Sequence, residues 1–293
     1  MPGVKGSGTV MRRIALKFGY DGSSFNGYQR QPERRTVEGE IIETLEAVGA
    51  IEDPESSAFQ SGSRTDAGVH ALANAVAFNT DFGSADLLSA LNAKCRHILF
   101  HSYLEVPATF NPRKAVMRHY RYLLRGRYDR GRLESALKLF VGTRDFSNFA
   151  KSGPGGRFRS IERVGISEIS GWTAIDLHGR SFLHNMVRRI VSAAVLAAEG
   201  KITEGDIESA LSGGPAKSFG LARPEFLILM DIDYGMRFRR VPLTAGTLDL
   251  WKKRLYTMMA VEYLYREMLG AEDEDESDST HRNARNREDN GGS

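Results

Sequence analysis

Residues 61–79, SGSRTDAGVHALANAVAFN, place one aspartate between an arginine and a histidine at the start of an apolar, alternating stretch. Asp66 is the residue that could do chemistry here, because a carboxylate can stabilise positive charge at a carbon or attack it covalently. The alternative is structural: Asp66 would accept hydrogen bonds from the amides of a tight turn, with Arg64 solvated. This segment by itself leaves both interpretations open.

Three further segments carry polar and aromatic side chains in suggestive patterns. They are YDGSSFNGYQRQ at 20–31, FNPRKAVMRHYRYLL at 110–124 and SFLHNMVRRIV at 181–191. The alternation in the second predicts that Tyr120 and Tyr122 share one face of a strand. The third has a helical pattern, which predicts that His184 and Arg188, four residues apart, share one face of a helix.

Taken together and in this order, the four segments resemble the tRNA pseudouridine synthase A family. Residues 63–71, SRTDAGVHA, match the family's signature around its catalytic aspartate throughout. With FLIL at 226–229, the resemblance covers nearly the whole chain except its ends. It implies an enzyme that isomerises uridine to pseudouridine in the anticodon stem-loop of tRNA, around positions 38–40, after the base is flipped out of its stack. Asp66 would be the essential aspartate.

The resemblance also implies roles for two other side chains. Arg188 would be the cation that keeps Asp66 ionised when RNA closes over it, since arginine stays protonated and can pair bidentately with a carboxylate. Tyr120 would be the aromatic platform for the detached uracil, and its hydroxyl could help to remove the proton from C5. A slip of one strand position would give that role to Tyr122 instead. Three roles of Asp66 stay open: attack on the sugar, addition to the ring, or removal of a sugar proton.

Further residues are implied as RNA or substrate contacts. Arg64 would enter the space that the flipped nucleotide leaves and contact phosphate. Leu227 would line the uracil pocket, although a buried strand leucine explains it equally well. The other expected contacts are Gln29, Arg30, Arg34 and His184.

Composition restricts the class of protein. The chain has 293 residues, of which 41% are hydrophobic and 26% charged, which is typical of a soluble globular protein. It contains no apolar run near the roughly 20 residues of a membrane helix, so we expect no membrane association. Cys95 is the only cysteine, which excludes an intrachain disulfide and a cysteine-rich zinc site and fits a cytoplasmic protein. We expect neither a cofactor nor a metal, because the implied reaction is a redox-neutral rearrangement and the seven histidines lack metal-ligand spacing.

Charge is distributed unevenly along the chain. Residues 271–293 hold eight acidic residues and three arginines, which leaves 37 basic and 29 acidic residues in 1–270. The basic body makes a polyanion such as tRNA a plausible partner. The acidic end has almost no apolar residues, so we expect it to be disordered.

Hydrophobic periodicity predicts strands and helices in mixed order. Strands are expected at RRIALKFGY, LANAVAFNT, HILFHSYLEV, HYRYLL and FLILMDIDY, with a hairpin about Gly171. Helices are expected after Thr36, from Ser84, over 130–142, over 181–200, over 203–213 and over 248–269. Such interleaving favours an α+β fold rather than strict βαβ order.

We expect two similar halves, each a mixed or antiparallel sheet covered by helices, with an RNA-binding cleft between them. The segments would be a flexible lead-in (1–10), an N-terminal half carrying Asp66 (11–108), a C-terminal half carrying Tyr120 and Arg188 (109–270) and the acidic tail (271–293). The family commonly forms homodimers, and the apolar final helix could form such an interface or cover the core.

Two other functions stay open. A non-catalytic RNA-binding module would need the basic surface but not Asp66. An N-glycosidase would release uracil and leave abasic RNA, although we find no second well-placed carboxylate for that reaction.

Overall fold

The computed structural model describes residues 11–126, 128–151, 157–215 and 217–270. The predicted lead-in and acidic tail lie outside these ranges, as do residues 152–156. The chain divides into two compact units, Met1–Pro242 and Leu243–Ser293.

In the described part of the first unit, ten strands form one sheet. They are β1 (Arg12–Tyr20), β2 (Gln60–Ser61), β3 (His70–Thr80), β4 (Ile98–Val106), β5 (Met117–Leu124), β6 (Gly142–Asp145), β7 (Phe158–Ile169), β8 (Trp172–Gly179), β9 (Leu227–Asp233) and β10 (Arg239–Arg240). Their spatial order is β10-β4-β1-β3-β9-β5-β8-β7-β6, and β2 pairs with β3 off this path. The mixed sheet with its helices confirms the predicted α+β class.

The centre of the sheet is the short contact between β3 and β9. These two strands run parallel, with His70 opposite Ile228 and Ala71 opposite Leu229, whereas the other strand pairs in the described residues are antiparallel. On its other edge β9 pairs with β5, so that Tyr122 lies opposite Leu227. The strand that follows the Asp66 segment is thus joined to the strand that carries Tyr120 through β9 alone.

The helices of the first unit are α1 (Val37–Ala47), α2 (Ser84–Lys94), α3 (Arg130–Lys138), α4 (Met186–Ala198) and α5 (Glu204–Leu211). Apolar residues spaced three and four apart bury one side of α4, at Val187, Ile190, Val191 and Ala194. The predicted cap of α1 is confirmed: the Thr36 hydroxyl accepts a hydrogen bond from the Gly39 amide, at 3.3 Å.

Two boundaries differ from the sequence-based expectation. Residues 181–185 are not helical, because Asn185 has a left-handed φ of 65° and α4 begins only after it. Residues 158–160 belong to β7 and pair with β6, a strand pair that the hydrophobic periodicity does not predict. The hairpin about Gly171 is confirmed, with Ser170 and Gly171 at φ values of 49° and 74° between β7 and β8.

The described part of the second unit contains the helix α6 (Ala245–Leu269), which is capped by the Thr244 side chain and ends at Gly270, whose φ is 60°. Its role as a subunit interface or as a cover for the core stays a prediction. No helix in the described ranges is long and apolar enough to cross a membrane.

Candidate active site

The loop that carries Asp66 is held by backbone hydrogen bonds from buried neighbours. Asn74, fully buried on β3, accepts from the Ser63 amide at 3.2 Å and donates to the Ser63 carbonyl at 2.9 Å. The Tyr28 amide donates to the Thr65 carbonyl at 3.1 Å, and the Val69 amide donates to the Asp66 carbonyl at 3.2 Å. The backbone on both sides of Asp66 is therefore fixed before any substrate binds.

The carboxylate of Asp66 is directed at two side chains from the segment 184–188. Oδ2 accepts a hydrogen bond from Nη1 of Arg188 at 2.7 Å, and Oδ1 lies 3.1 Å from Nε2 of His184. The Asp66 side chain is 23% exposed and that of Arg188 11%. The carboxylate thus lies beside a positive charge and still reaches the solvent, which is what a charge-stabilising or nucleophilic role requires.

Arg188 is anchored on both sides of this ion pair. Its Nε donates to the Ala222 carbonyl at 2.7 Å, and its own carbonyl accepts from the Ala222 amide at 3.2 Å. Nε is thus used for the Ala222 carbonyl and not for a bidentate pairing with Asp66. A single Nη1–Oδ2 bond joins the two charges instead.

The prediction that His184 and Arg188 share a helix face is wrong. His184 lies in the turn before α4, because the left-handed Asn185 separates it from the helix. Even so, both residues contact Asp66, one on each carboxylate oxygen. The turn, and not a helix, directs the His184 side chain to Asp66. The His184 side chain is 56% exposed.

Tyr120 and Tyr122 are both on the buried face of β5, as predicted, but their surroundings differ. Tyr120 lines the cleft above Asp66 and packs edge-on against Phe182, with ring centroids 5.1 Å apart. Tyr122 packs edge-on against Phe226 at 6.3 Å and is not among the cleft-lining residues. Burial raises the pKa of Tyr120, and burial raises the pKa of Tyr122 to about 12. Both phenols are therefore neutral near pH 7.

Asp66, His184, Arg188 and Tyr120 line an open cleft of about 1040 Å³ in the first unit. Its size admits a nucleotide. Of the expected contacts it brings together Gln29, Arg34, Arg64, Asp66, Tyr120, His184, Arg188 and Leu227. Arg30 does not line the cleft; its amide donates to the Glu38 carboxylate at 3.1 Å. Leu227 is both a buried strand leucine, 5% exposed at the start of β9, and a residue that lines the cleft.

Two functional residues were missed from the sequence. Arg118 and Asn74 are buried polar side chains that hold the Asp66 loop, and Arg118 also lines the cleft. The signal was present: Arg118 is a charged residue on the same strand face as Tyr120 and Tyr122, and Asn74 interrupts an apolar strand. A polar residue at a buried position needs hydrogen-bond partners, and here the partners belong to the site. The described residues contain no group of three or more potential metal ligands.

Comparison with known proteins identifies the family. A family model described as tRNA pseudouridine synthase matches residues 136–235. The chain is 43% identical over 233 residues to tRNA pseudouridine synthase A of Thermococcus onnurineus, covering 78% of this chain and 87% of that protein. It is 40% identical over 233 residues to the protein of the same name from Methanothermobacter thermautotrophicus, covering 78% of this chain and 84% of that one.

A structural comparison gives a weak match to the crystal structure of a Cbf5-Nop10-Gar1 complex. The TM-score is 0.33 at 14% identity, covering 61% of this chain and 45% of that chain, which is too low to establish a common fold. The sequence relatives, in contrast, are close and cover most of both chains. This chain therefore belongs to the tRNA pseudouridine synthase A family.

Proposed function

We propose that this chain is a tRNA pseudouridine synthase that isomerises uridine in the anticodon stem-loop of tRNA, with Asp66 as its essential residue. The observation that supports this most is the Asp66 carboxylate, hydrogen-bonded to Arg188 at 2.7 Å on the wall of an open cleft that also contains Tyr120. Pairing of a charged carboxylate with an aromatic ring in a nucleotide-sized cleft suits glycosidic chemistry on a flipped base.

The reaction is a balanced rearrangement. The N1–C1′ bond breaks, the uracil turns over within the cleft, and C5 forms a new bond to C1′. The proton of C5 is then lost and N1 gains a proton. Positive charge develops at C1′ as the first bond breaks, and Asp66 would stabilise that charge or form a covalent bond to the substrate.

Arg188 would keep Asp66 ionised through this sequence. Bound RNA removes water from the cleft, which by itself favours the protonated carboxylic acid. The guanidinium offsets this cost because it does not lose its proton. Its bond to the Ala222 carbonyl supports the role, since it holds the side chain in place.

Tyr120 would hold the detached uracil by stacking. Its raised pKa means that the phenol is protonated near neutral pH, which suits a platform and hydrogen-bond donor. Action as the base that removes the C5 proton would require a prior loss of the hydroxyl proton. We therefore favour the platform role for the first steps of the reaction.

The RNA would lie in a cleft between an N-terminal half, ending near residue 108, and a C-terminal half. Residues on both sides of that boundary line the cleft, which supports this arrangement. Arg34 and Arg64 would contact phosphates beside the flipped nucleotide, and Gln29 and His184 its neighbours. Arg30, outside the cleft, would contact RNA that extends beyond it. We also propose a cytoplasmic homodimer, and light scattering that gives a monomer with full activity would contradict the dimer.

The deciding experiment maps pseudouridine in a tRNA transcript after incubation with the wild-type protein, Asp66→Asn and Asp81→Asn. Asp81 is exposed and provides the matched control. We expect pseudouridine in the anticodon stem-loop with the wild type and Asp81→Asn, and a loss of at least about 1000-fold in rate with Asp66→Asn. Binding of tRNA should change little in either variant.

Four results would contradict the proposal in different ways. Binding of tRNA without pseudouridine formation by the wild type would favour an RNA-binding module over an enzyme, whereas full pseudouridine formation by Asp66→Asn would show that Asp66 is not essential. Release of free uracil with abasic RNA would favour an N-glycosidase. Pseudouridine only outside the anticodon stem-loop would leave the activity intact and refute the proposed target.

A further inference from the structure

Arg118 is a buried arginine whose hydrogen bonds converge on the loops of the site. It lies on β5 two residues before Tyr120, on the same strand face, and is 7% exposed. Its Nε donates to Ser63 Oγ at 2.9 Å, and Nη2 donates to the Gly62 carbonyl at 3.3 Å. The guanidinium thereby fixes the segment that leads into Asp66.

The remaining bonds of Arg118 reach two other segments. Nη2 also donates to the Arg113 carbonyl at 2.9 Å, and Nη1 donates to the Arg180 carbonyl. Arg180 directly follows β8, and from it the chain continues to Phe182 and His184. One guanidinium thus joins the Asp66 loop, the entry to β5 and the loop that leads to α4.

All four acceptors are neutral oxygens, and within the described ranges Arg118 forms no salt bridge. Burial of a charge is costly, and carbonyl hydrogen bonds compensate it only in part. A hydrophobic residue at this position would leave the four acceptor oxygens without these hydrogen bonds. The planar guanidinium, in contrast, bonds several acceptors in fixed directions, and it therefore positions the segments that carry them.

We propose that Arg118 is a positioning residue that sets the separation between the Asp66 loop and Tyr120, an inference that rests on the proposed function. Productive geometry requires reacting groups to be held within a fraction of an ångström. Arg118 supplies this restraint because its guanidinium is hydrogen-bonded both to the Asp66 loop and to the segment after β8. The four hydrogen bonds of Arg118 go to protein oxygens, so the role that we infer is positioning and not direct chemistry.

The electrostatics of Tyr120 agree with this role. Burial raises the pKa of Tyr120, whereas the positive charge of Arg118 and a hydrogen bond with Ser63 act in the opposite direction. Arg118 therefore acts on the phenol through space as well as through the Ser63 side chain that it holds.

The test compares Arg118→Lys, Arg118→Met and Ser63→Ala with a matched buried arginine. Arg13 is 6% exposed and also bonds neutral oxygens, through Nε to the Phe110 carbonyl at 2.9 Å and through Nη1 to the Ala58 carbonyl at 3.1 Å, but it does not line the cleft. Arg13→Lys therefore reports the cost of disturbing a buried arginine. Thermal unfolding and tRNA binding show which variants fold.

We measure kcat and KM for pseudouridine formation and the titration of Tyr120 by NMR of labelled tyrosine, assigned with Tyr120→Phe. Arg118→Met should lower kcat about 100-fold with KM little changed, and Arg118→Lys should lower it less. Ser63→Ala should show part of the same loss. Tyr120 should titrate at higher pH in Arg118→Met, and Arg13→Lys should leave both kcat and this titration unchanged.

Each outcome decides the inference. Unchanged kcat in Arg118→Met, or an equal loss in Arg13→Lys, overturns it. If Arg118→Met does not fold, Arg118→Lys and Ser63→Ala decide, and normal kcat in both overturns it. If the wild type forms no pseudouridine, the proposed function falls, and the Tyr120 titration alone decides whether Arg118 acts on that residue.

Discussion

Asp66 and Arg188 are 122 residues apart in the chain and share a hydrogen bond of 2.7 Å between Oδ2 and Nη1. Each partner is held from its own side, Asp66 by a loop bonded to β3 and Arg188 by the Ala222 carbonyl. The pair is therefore preorganised, and electrostatic preorganisation is usually the largest contribution to catalysis.

Arg188→Lys should lower kcat by about 100-fold while the protein stays folded. Lysine keeps the charge but cannot bond both Ala222 and Asp66 with the geometry of a guanidinium. Single-turnover rates on tRNA measure the effect. Arg189→Lys, on the next residue of α4, is the matched control and should retain full activity. Equal activities of the two variants would contradict a role for the Arg188 contact.

Substitutions of Tyr120 and of Tyr122 should have clearly different effects on the rate of pseudouridine formation. Tyr120→Leu removes the aromatic face in the cleft, and stacking on an aromatic ring is worth about 1–3 kcal/mol per base, so the rate should fall about 10- to 100-fold. Tyr120→Phe keeps the face and tests the hydroxyl alone. Tyr122→Phe should stay near wild type, because Tyr122 packs on Phe226 outside the cleft lining. A larger loss with a folded Tyr122→Leu variant than with Tyr120→Leu would reverse the assignment.

Stability should depend on pH through His70 and Asp21, whose Nδ1 and Oδ1 lie 3.0 Å apart. The hydrogen bond with Asp21 raises the pKa of His70 and lowers the pKa of Asp21. The contribution of His70 is thus fully present below its unfolded pKa of about 6.5 and is lost as pH rises through the higher folded value. The contribution of Asp21 is present above about pH 4 and is lost as pH falls.

His70→Gln should therefore cost about 1 kcal/mol more at pH 5.5 than at pH 9, a modest value because both side chains are partly solvated. Denaturant unfolding at the two pH values measures it, and Asp21→Asn should show the same pH dependence. The Gly22 amide lies 3.1 Å from the same Nδ1, so a neutral imidazole can accept from it after deprotonation. An equal loss at both pH values would show that His70 is not protonated in the fold.

Gly22→Ala should destabilise the protein strongly. A Cβ at Gly22 would lie 2.2 Å from the Val69 carbonyl oxygen, and neither backbone segment can move without shifting the loop after Asp66. We expect a loss of at least about 2 kcal/mol in unfolding free energy. Gly246→Ala is the control, since nothing lies within 4 Å of its Cβ position in α6 and alanine favours a helix. Thermal unfolding of the two variants should shift in opposite directions.

The sequence predicted well those elements in which local pattern and burial agree. The strand face of Tyr120 and Tyr122, the cap at Thr36 and the hairpin at Gly171 all follow from short-range rules. Four family-like segments also identified Asp66, Tyr120 and Arg188, which the structure brings together in one cleft.

The rest depends on contacts that no local pattern encodes. The turn at Asn185 depends on the left-handed conformation of that one residue. The helical pattern of the sequence does not reveal it, so the predicted helix wrongly included residues 181–185. The hydrogen bonds of Arg118 can be recognised only once the fold brings β5, the Asp66 loop and the segment after β8 together. The short strands β6 and β10 have too few residues for alternation to identify them.

The position of β9 has a consequence for synthesis of the protein. Residues 227–233 form the only link between β3 and β5 in the described sheet, although they are encoded near the end of the chain. A nascent polypeptide can fold its early strands on the ribosome, yet the sheet cannot be completed between β3 and β5 until this segment has left the exit tunnel. A truncated translation product that stops before residue 227 therefore lacks the strand that pairs with both β3 and β5, so premature termination leaves the sheet divided at its centre.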